Sequence, residues 1–288
     1  LSAKGTKLKQ KVNGALLKPF VEESVAEHET KRRRLSTESD YSEEMDVCSL
    51  ALDVQEEDPK NDRDDLENGK WLSDSHINAA QHLLCRQHRA VNGFQDTLLG
   101  AHALGYKSIT GPSAQIHHVS GNHWILSTNI GGNVRIYDSM PFSMTSMLRR
   151  EISTIYKDMK DADNCIRVLV TPCQRQKGAD DCGLFAIVNM VEILEGRLPE
   201  NEVYHQKKMR QHLLTSFNAG KISQFPGKAV EVLFMEEQLV WVATYCKCRQ
   251  YLPSSTIVQC ASCKEWWQQS CAGFTQEKLP RRFVCANC

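Results

Sequence analysis

The sequence has no net charge: 35 lysines and arginines balance 35 aspartates and glutamates across 288 residues. Sequence-independent binding to nucleic acid rests on an excess of basic side chains, so no direct nucleic-acid partner is expected. No apolar run approaches the roughly 18 residues a membrane helix needs, which excludes an integral membrane helix and leaves no membrane partner expected. The opening residues, LSAKGTKLKQKVNG, are basic and polar with no apolar segment behind them, so no secretory leader is expected. Because the chain opens on Leu1 rather than methionine, a start further upstream is expected. Aromatics are scarce at the front, where Phe20 and Tyr41 stand alone among mixed charge up to residue 66. Such a stretch buries too little apolar area to offset its chain entropy, so residues 1–65 are expected to be disordered. Within them, Lys31-Arg32-Arg33-Arg34 reads equally as a nuclear-import cluster and as a solvated charge run. A nuclear location is the expectation, with the cytoplasm as the alternative. Cysteine, too, is sparse along most of the chain, with Cys48, Cys85, Cys165, Cys173 and Cys182 the only ones before residue 246. The remaining seven crowd into 246–288, which points to a metal module rather than a disulfide framework.

From Trp71 onward the pattern becomes that of a folded domain. A helix is predicted over 76–87, capped by Asp74, with Ile77, Ala80, Leu83 and Leu84 on one face. Two strand-like runs, HWILSTNI (123–130) and VRIYD (134–138), flank Gly131-Gly132-Asn133 and predict a hairpin. A helix at 144–159, a strand at 165–171 and a helix at 182–194 follow, the last apolar nearly all round and so expected to be buried. A further helix is predicted at 202–217, and Phe225-Pro226-Gly227 ends the body. The predicted fold class is α+β. The predicted domains are a disordered segment at 1–65, a folded domain at 66–226, a linker at 227–241 and a small module at 242–288.

The segment QKGADDCG (176–183) stands just before the buried helix. A cysteine at a helix N-terminus lies in the positive end of the dipole, which favours thiolate over thiol, and its own N–H can donate to a developing oxyanion. Gly183 would let a substrate backbone approach closely. An inert buried cysteine opening a core helix is the competing reading. For a base, His123 is a candidate, with His117 and His118 as rivals. If Gly131 and Gly132 form the hairpin loop, paired residue numbers sum to 263, which sets Asp138 diagonally across from His123 on one face. A loop one residue different would put them on opposite faces.

The ordered set of Trp71-Leu72-Ser73-Asp74, His123-Trp124, Tyr137-Asp138-Ser139 and Gln176 with Cys182 six residues on resembles the ubiquitin-like protease family. These are SUMO- and modifier-specific cysteine peptidases, distantly related to adenovirus-type proteases. The resemblance spans about 66–225. It implies a papain-like cysteine peptidase domain with a small mixed sheet and a buried helix. It further implies Cys182 as nucleophile, His123 as base, Asp138 as its orienter and Gln176 as oxyanion donor, with no cofactor for catalysis. Trp71, Asp74 and Trp124 are implied to bind substrate, the two tryptophans clamping the tail of a ubiquitin-like modifier, SUMO-like by preference. Gly178 and Ala179 depart from the family's usual Asn-Gly at those positions.

In the tail, Cys246, Cys248, Cys260, Cys263, Cys271, Cys285 and Cys288 have the paired spacing of structural zinc ligands. A module this small needs metal to hold its fold. The order resembles a PHD finger. That resemblance implies one firm zinc on Cys260, Cys263, Cys285 and Cys288, and a weak or absent one on Cys246, Cys248 and Cys271, where Gln268 stands in the expected histidine's place. It also implies a histone-tail partner, with Tyr245 and Trp266 as aromatic walls for methyl-lysine, although Trp266 packing the small core is at least as good a reading. Two other functions stay open on sequence: a non-catalytic chromatin-binding protein using its finger, and a mobile-element protease with its own substrate.

Overall fold

A computed structural model describes residues 59–100, 105–119, 123–231, 236–244, 246, 257–264, 266–274, 282–286 and 288. Residues 1–58, including the basic cluster at 31–34, lie outside the described residues, as do Tyr245 and Cys248. The part of the expected disordered segment that is described, 59–65, is helical instead: α1 spans Pro59–Glu67. Leu66 is buried in the main core, and an Arg63–Glu67 pair one turn apart adds local support.

Helix α2, Asp74–Gln87, starts at Asp74 rather than being capped by it. Ser73 is the capping residue, its N–H donating to His76 Nδ1 at 3.1 Å. Ile77, Ala80 and Leu84 are buried on one face, as their spacing predicts.

A six-stranded mixed sheet runs in the order β1 (Asn92–Gly93), β2 (Ser113–Val119), β3 (His123–Thr128), β4 (Val134–Tyr137), β5 (Cys165–Thr171) and β8 (Gln238–Ala243). The β1–β2 and β4–β5 pairs are parallel, and the others are antiparallel. In the β3–β4 hairpin, Leu126 faces Tyr137, Ser127 faces Ile136 and Thr128 faces Arg135, so every pair sums to 263 in residue number. Gly131 and Gly132 sit at φ +87° and +89°, the left-handed region that so short a loop demands.

One core joins α2, α4 (Cys182–Leu194) and α5 (Gln206–Ala219) to the sheet; a second lies under α3 (Ser146–Ile155) and includes Leu148, Ile152 and Ile155. Helix α4 is buried from Cys182 through Ile193, which is why its sequence is apolar all round. The fold is therefore α+β, with helices packed on a mixed sheet. Among the described residues, no helix is long and apolar enough to cross a membrane.

Two predicted boundaries need correction. Helix 202–217 splits into a strand, β6 (Glu202–Tyr204), and α5, because 202–204 pairs with β7 (Gly227–Ala229). Nor are the described residues of the expected linker, 227–231 and 236–241, a free connection. They supply β7 and the start of β8, which closes the sheet against β5. Beyond β8, Thr244 is buried and donates its N–H and its Oγ1 to the Asn164 carbonyl, both at 2.7 Å. The C-terminal module holds a two-stranded sheet, β9 (Ile257–Gln259) with β10 (Trp266–Gln268), around Cys246, Cys260, Trp267 and Cys285.

Candidate active site and metal centre

The hairpin register decides the first contact. His123 opens β3 and Asp138 follows β4, and their side chains meet with His123 Nε2 2.7 Å from Asp138 Oδ1. The carboxylate is buried, and the same oxygen accepts the Met140 N–H at 2.8 Å, which fixes its rotamer. Cys182 opens α4 and is buried there. The ring's other nitrogen, Nδ1, is buried away from every nitrogen and oxygen partner and is left for the Cys182 thiol. Burial, the largest influence on His123, lowers its pKa. Hydrogen bonding and charge from Asp138 and Cys182 outweigh that pull and lift it to about 9. The ring thus lies between a carboxylate and a sulfur, both of which favour its protonated form.

Gln176 is held from two sides. Its N–H donates to the Ser139 carbonyl at 3.1 Å, and its Oε1 accepts the Ser139 hydroxyl at 2.7 Å. Its Nε2 donates one N–H to the Gly178 carbonyl at 3.0 Å, and an amide nitrogen carries a second. Ser139 was not singled out on sequence, although it is part of the Tyr137-Asp138-Ser139 run.

The rival bases are engaged elsewhere. His117 is fully buried, with Nδ1 2.5 Å from Glu151 Oε2 and Nε2 2.7 Å from Ser127 Oγ. This closed network extends to Tyr156 OH, 2.8 Å from Ser127 Oγ. His118 stacks on Trp124 with ring centroids 4.4 Å apart.

A cleft of about 300 Å³ opens beside the His123–Asp138 pair, lined among others by Trp71, Met140, Phe142 and Ala179. Trp71 is 46% exposed there. Trp124 is not part of this lining: its indole is buried and donates to the Leu72 carbonyl at 2.9 Å. Of the two tryptophans expected to clamp a substrate, only Trp71 presents a surface to the cleft. Asp74 likewise turns inward and accepts the Thr97 hydroxyl at 2.7 Å. The expected reason for Gly183 also needs correction. A Cβ there would lie 2.9 Å from Leu72 Cβ, so glycine makes room for Leu72 rather than for a ligand.

In the C-terminal module, Cys260, Cys263, Cys285 and Cys288 bring their sulfurs within 4.8 Å of one another. The separations are 3.9 Å for Cys260–Cys288, 3.7 Å for Cys263–Cys285 and 3.5 Å for Cys285–Cys288. Four sulfurs each about 2.3 Å from a tetrahedral metal stand about 3.8 Å apart, so the set fits a metal ion. Burial pushes the Cys260 thiol up, but N–H groups of Cys285, Cys263 and Ser262 and the Cys263 side chain bring it down to about 6. In the other half of the module Cys246 is buried, and Cys271 Sγ lies 3.5 Å from Gln268 Oε1. Among the described residues, the four-cysteine cluster is the one group of metal-ligand type.

No family model matches the chain. Among curated proteins, the chromatin remodeling protein EBS of Arabidopsis thaliana is 46% identical over 50 residues, 16% of this chain and 21% of that protein. The chromatin remodeling protein SHL of the same plant is 44% identical over 50 residues, 16% and 22% respectively. The chain thus spans about a fifth of the length of the curated relatives it matches. Among solved structures, the C-terminal Ulp1 protease domain in complex with Smt3, the yeast ortholog of SUMO, aligns with TM-score 0.45 and 15% identity, covering 62% of this chain and 95% of that one. The Xanthomonas campestris effector protein XopD bound to ubiquitin aligns with TM-score 0.33 and 13% identity, covering 55% and 86%.

Proposed function

We propose that the chain is a cysteine peptidase or isopeptidase that cleaves after the C-terminal tail of a ubiquitin-like modifier, SUMO-like by preference. The observation that carries this reading is one imidazole, His123, shared between the Asp138 carboxylate at 2.7 Å and the thiol that opens the buried helix α4. In the proposed reaction the proton of the Cys182 thiol passes to His123, and the resulting thiolate attacks the carbonyl of the scissile bond. Charge on that oxygen is met by the Cys182 N–H and the free Gln176 Nε2–H. The tetrahedral intermediate collapses as the His123 imidazolium gives its proton to the leaving amine, which leaves a thioester. Water, deprotonated by His123, then hydrolyses the thioester and restores the thiol. Asp138 stays ionised throughout, holding the ring and stabilising its charge. Trp71 supplies the exposed wall along which a narrow, side-chain-poor tail would lie.

The C-terminal module is proposed to be a PHD-type zinc finger that directs the peptidase. Cys260, Cys263, Cys285 and Cys288 would hold structural zinc, which cross-links the module. The matches to two chromatin remodeling proteins favour a chromatin-associated, nuclear setting, and a methylated histone tail is the proposed ligand of the module. A purely chromatin-binding protein is the second reading, also supported by those matches.

The two readings separate with a modifier probe carrying a C-terminal electrophile, offered as SUMO, ubiquitin and related forms. The peptidase reading expects at least one probe to form a covalent adduct, Cys182→Ser to abolish it and Cys173→Ser to leave it nearly intact. Undiminished labelling of Cys182→Ser, or no adduct with any modifier, would overturn the assignment.

A further inference from the structure

The loop that delivers Gln176 and Cys182 is exposed from 177 to 180 and contains Gly178 at φ +81° where related enzymes carry Asn-Gly. No core side chain anchors those four residues. Apart from the Gly178 carbonyl, which accepts Gln176 Nε2–H, their ties run to one face of α5, through Gln206 and Arg210 one turn later. Gln206 takes the Lys177 N–H on Oε1 at 2.9 Å and gives Nε2 to the Lys177 carbonyl at 2.8 Å and to Asp181 Oδ2 at 2.6 Å. Arg210 donates Nε and Nη2 to Asp181 Oδ1 at 3.0 and 2.6 Å, and Nη2 also to the Asp180 carbonyl at 3.1 Å. The same guanidinium reaches the other wall of the cleft, giving Nη1 to the Lys70 carbonyl at 2.6 Å, next to Trp71. Both partners of the Arg210–Asp181 pair are mostly withdrawn from water, 18% and 17% exposed. A planar fork fits this pattern, because it fixes four bonds in one geometry where an ammonium offers a point charge.

We propose that Arg210, seconded by Gln206, is a positioning residue that sets the gap between the Trp71 wall and the 177–181 loop, and so governs how fast a modifier's tail reaches Cys182. This deepens the peptidase reading and rests on it. Positional errors of about 1 Å in such a site can cost about a hundredfold in rate. The residue acts on the cleft and does not touch the reacting atoms. It was invisible in the sequence, since Arg210 meets Asp181 across 29 residues on an element whose start was misplaced.

The test compares Arg210→Ala, Arg210→Lys and Asp181→Asn in the full chain, with two electrophiles: a modifier-tail probe and iodoacetamide. Rate constant and final labelled fraction are read separately, with thermal unfolding as a control. Expected for Arg210→Ala is a probe rate about 10–100-fold lower with a full labelled fraction, and an iodoacetamide rate at Cys182 changed less than about threefold. Arg210→Lys should recover only part of the probe rate, and combining it with Asp181→Asn should cost little more than either alone. A merely structural role would lower the labelled fraction and leave the rate of the remainder unchanged; that result overturns the proposal, as does a probe rate within twofold of wild type. Wild-type protein that reacts with iodoacetamide but with no modifier probe overturns the peptidase reading itself, and this inference with it.

Discussion

His123 is the residue on which the proposed chemistry turns, and its proton has a defined pH window. The fold raises its pKa from 6.5 to about 9, so it binds its proton more tightly folded than unfolded. The stability this contributes is fully present below about pH 6.5 and is lost as pH rises through about 9. In the proposed reaction the same proton serves the leaving amine, so kcat/KM should fall on a basic limb near pH 9. Asp138→Asn removes the anion that supports the imidazolium. That change should move the limb to lower pH and cut turnover by up to about 10⁴-fold, the loss an orienting carboxylate can account for. A pH–rate profile of both proteins checks this, and an unmoved limb would mean that another group holds the ring. The meeting of His123 with Asp138 was legible because a two-glycine loop fixes a hairpin's register by counting. Trp124 misled because its place beside His123 says nothing about which face it takes; burial and the bond to the Leu72 carbonyl decide that. Ser139 and Arg210 could not be read, since their partners Gln176 and Asp181 are brought to them only by tertiary folding.

Helix α4 was the most legible element, because a helix buried on all sides must be apolar on all sides and its polar neighbours mark its start. Strand β2 was hidden for the opposite reason. Its Ser113, Gln115 and His117 look like loop residues, yet all three are buried and satisfied by partners far along the chain. Strand β8 has a strand-prone sequence, QLVWVA, that lay mostly within the expected linker, and it pairs with β5. The α4 start also holds a packing constraint. Gly183 lies under Leu72, where an added Cβ would come 2.9 Å from Leu72 Cβ and 3.0 Å from its Cδ1. Gly183→Ala should therefore destabilise the domain by about 1–3 kcal/mol, the usual cost of overpacking. Adding Leu72→Ala should return part of that loss. Denaturant midpoints of the single and double variants check it, and an unaffected Gly183→Ala would show that Leu72 yields freely.

Taken whole, the chain joins the proposed peptidase site to a cysteine cluster through a strand of the central sheet, with Thr244 fastened to Asn164 just before Cys246. The paired spacing of the cysteines marked a metal module, but only the PHD resemblance grouped Cys260, Cys263, Cys285 and Cys288, the four whose sulfurs meet; in the other half Gln268 stands where that resemblance expects a histidine. The Gln268 amide oxygen stands 3.5 Å from the Cys271 sulfur, and an amide is a far weaker zinc ligand than imidazole. After mild chelation, metal analysis of the full chain should find about one zinc, and Gln268→His should raise that to about two. Two chelator-resistant zincs in the unaltered protein would show that the second half binds without help. The directing role proposed for the module depends on there being a peptidase to direct, and multiple-turnover hydrolysis puts that to the sharpest test. Purified protein is incubated with isopeptide-linked SUMO, ubiquitin and related conjugates, alongside His123→Ala as the control. Release of free modifier over many cycles by the wild type, lost in His123→Ala, is the expected result. Folded protein whose Cys182 reacts with iodoacetamide but which cleaves none of the conjugates would contradict it.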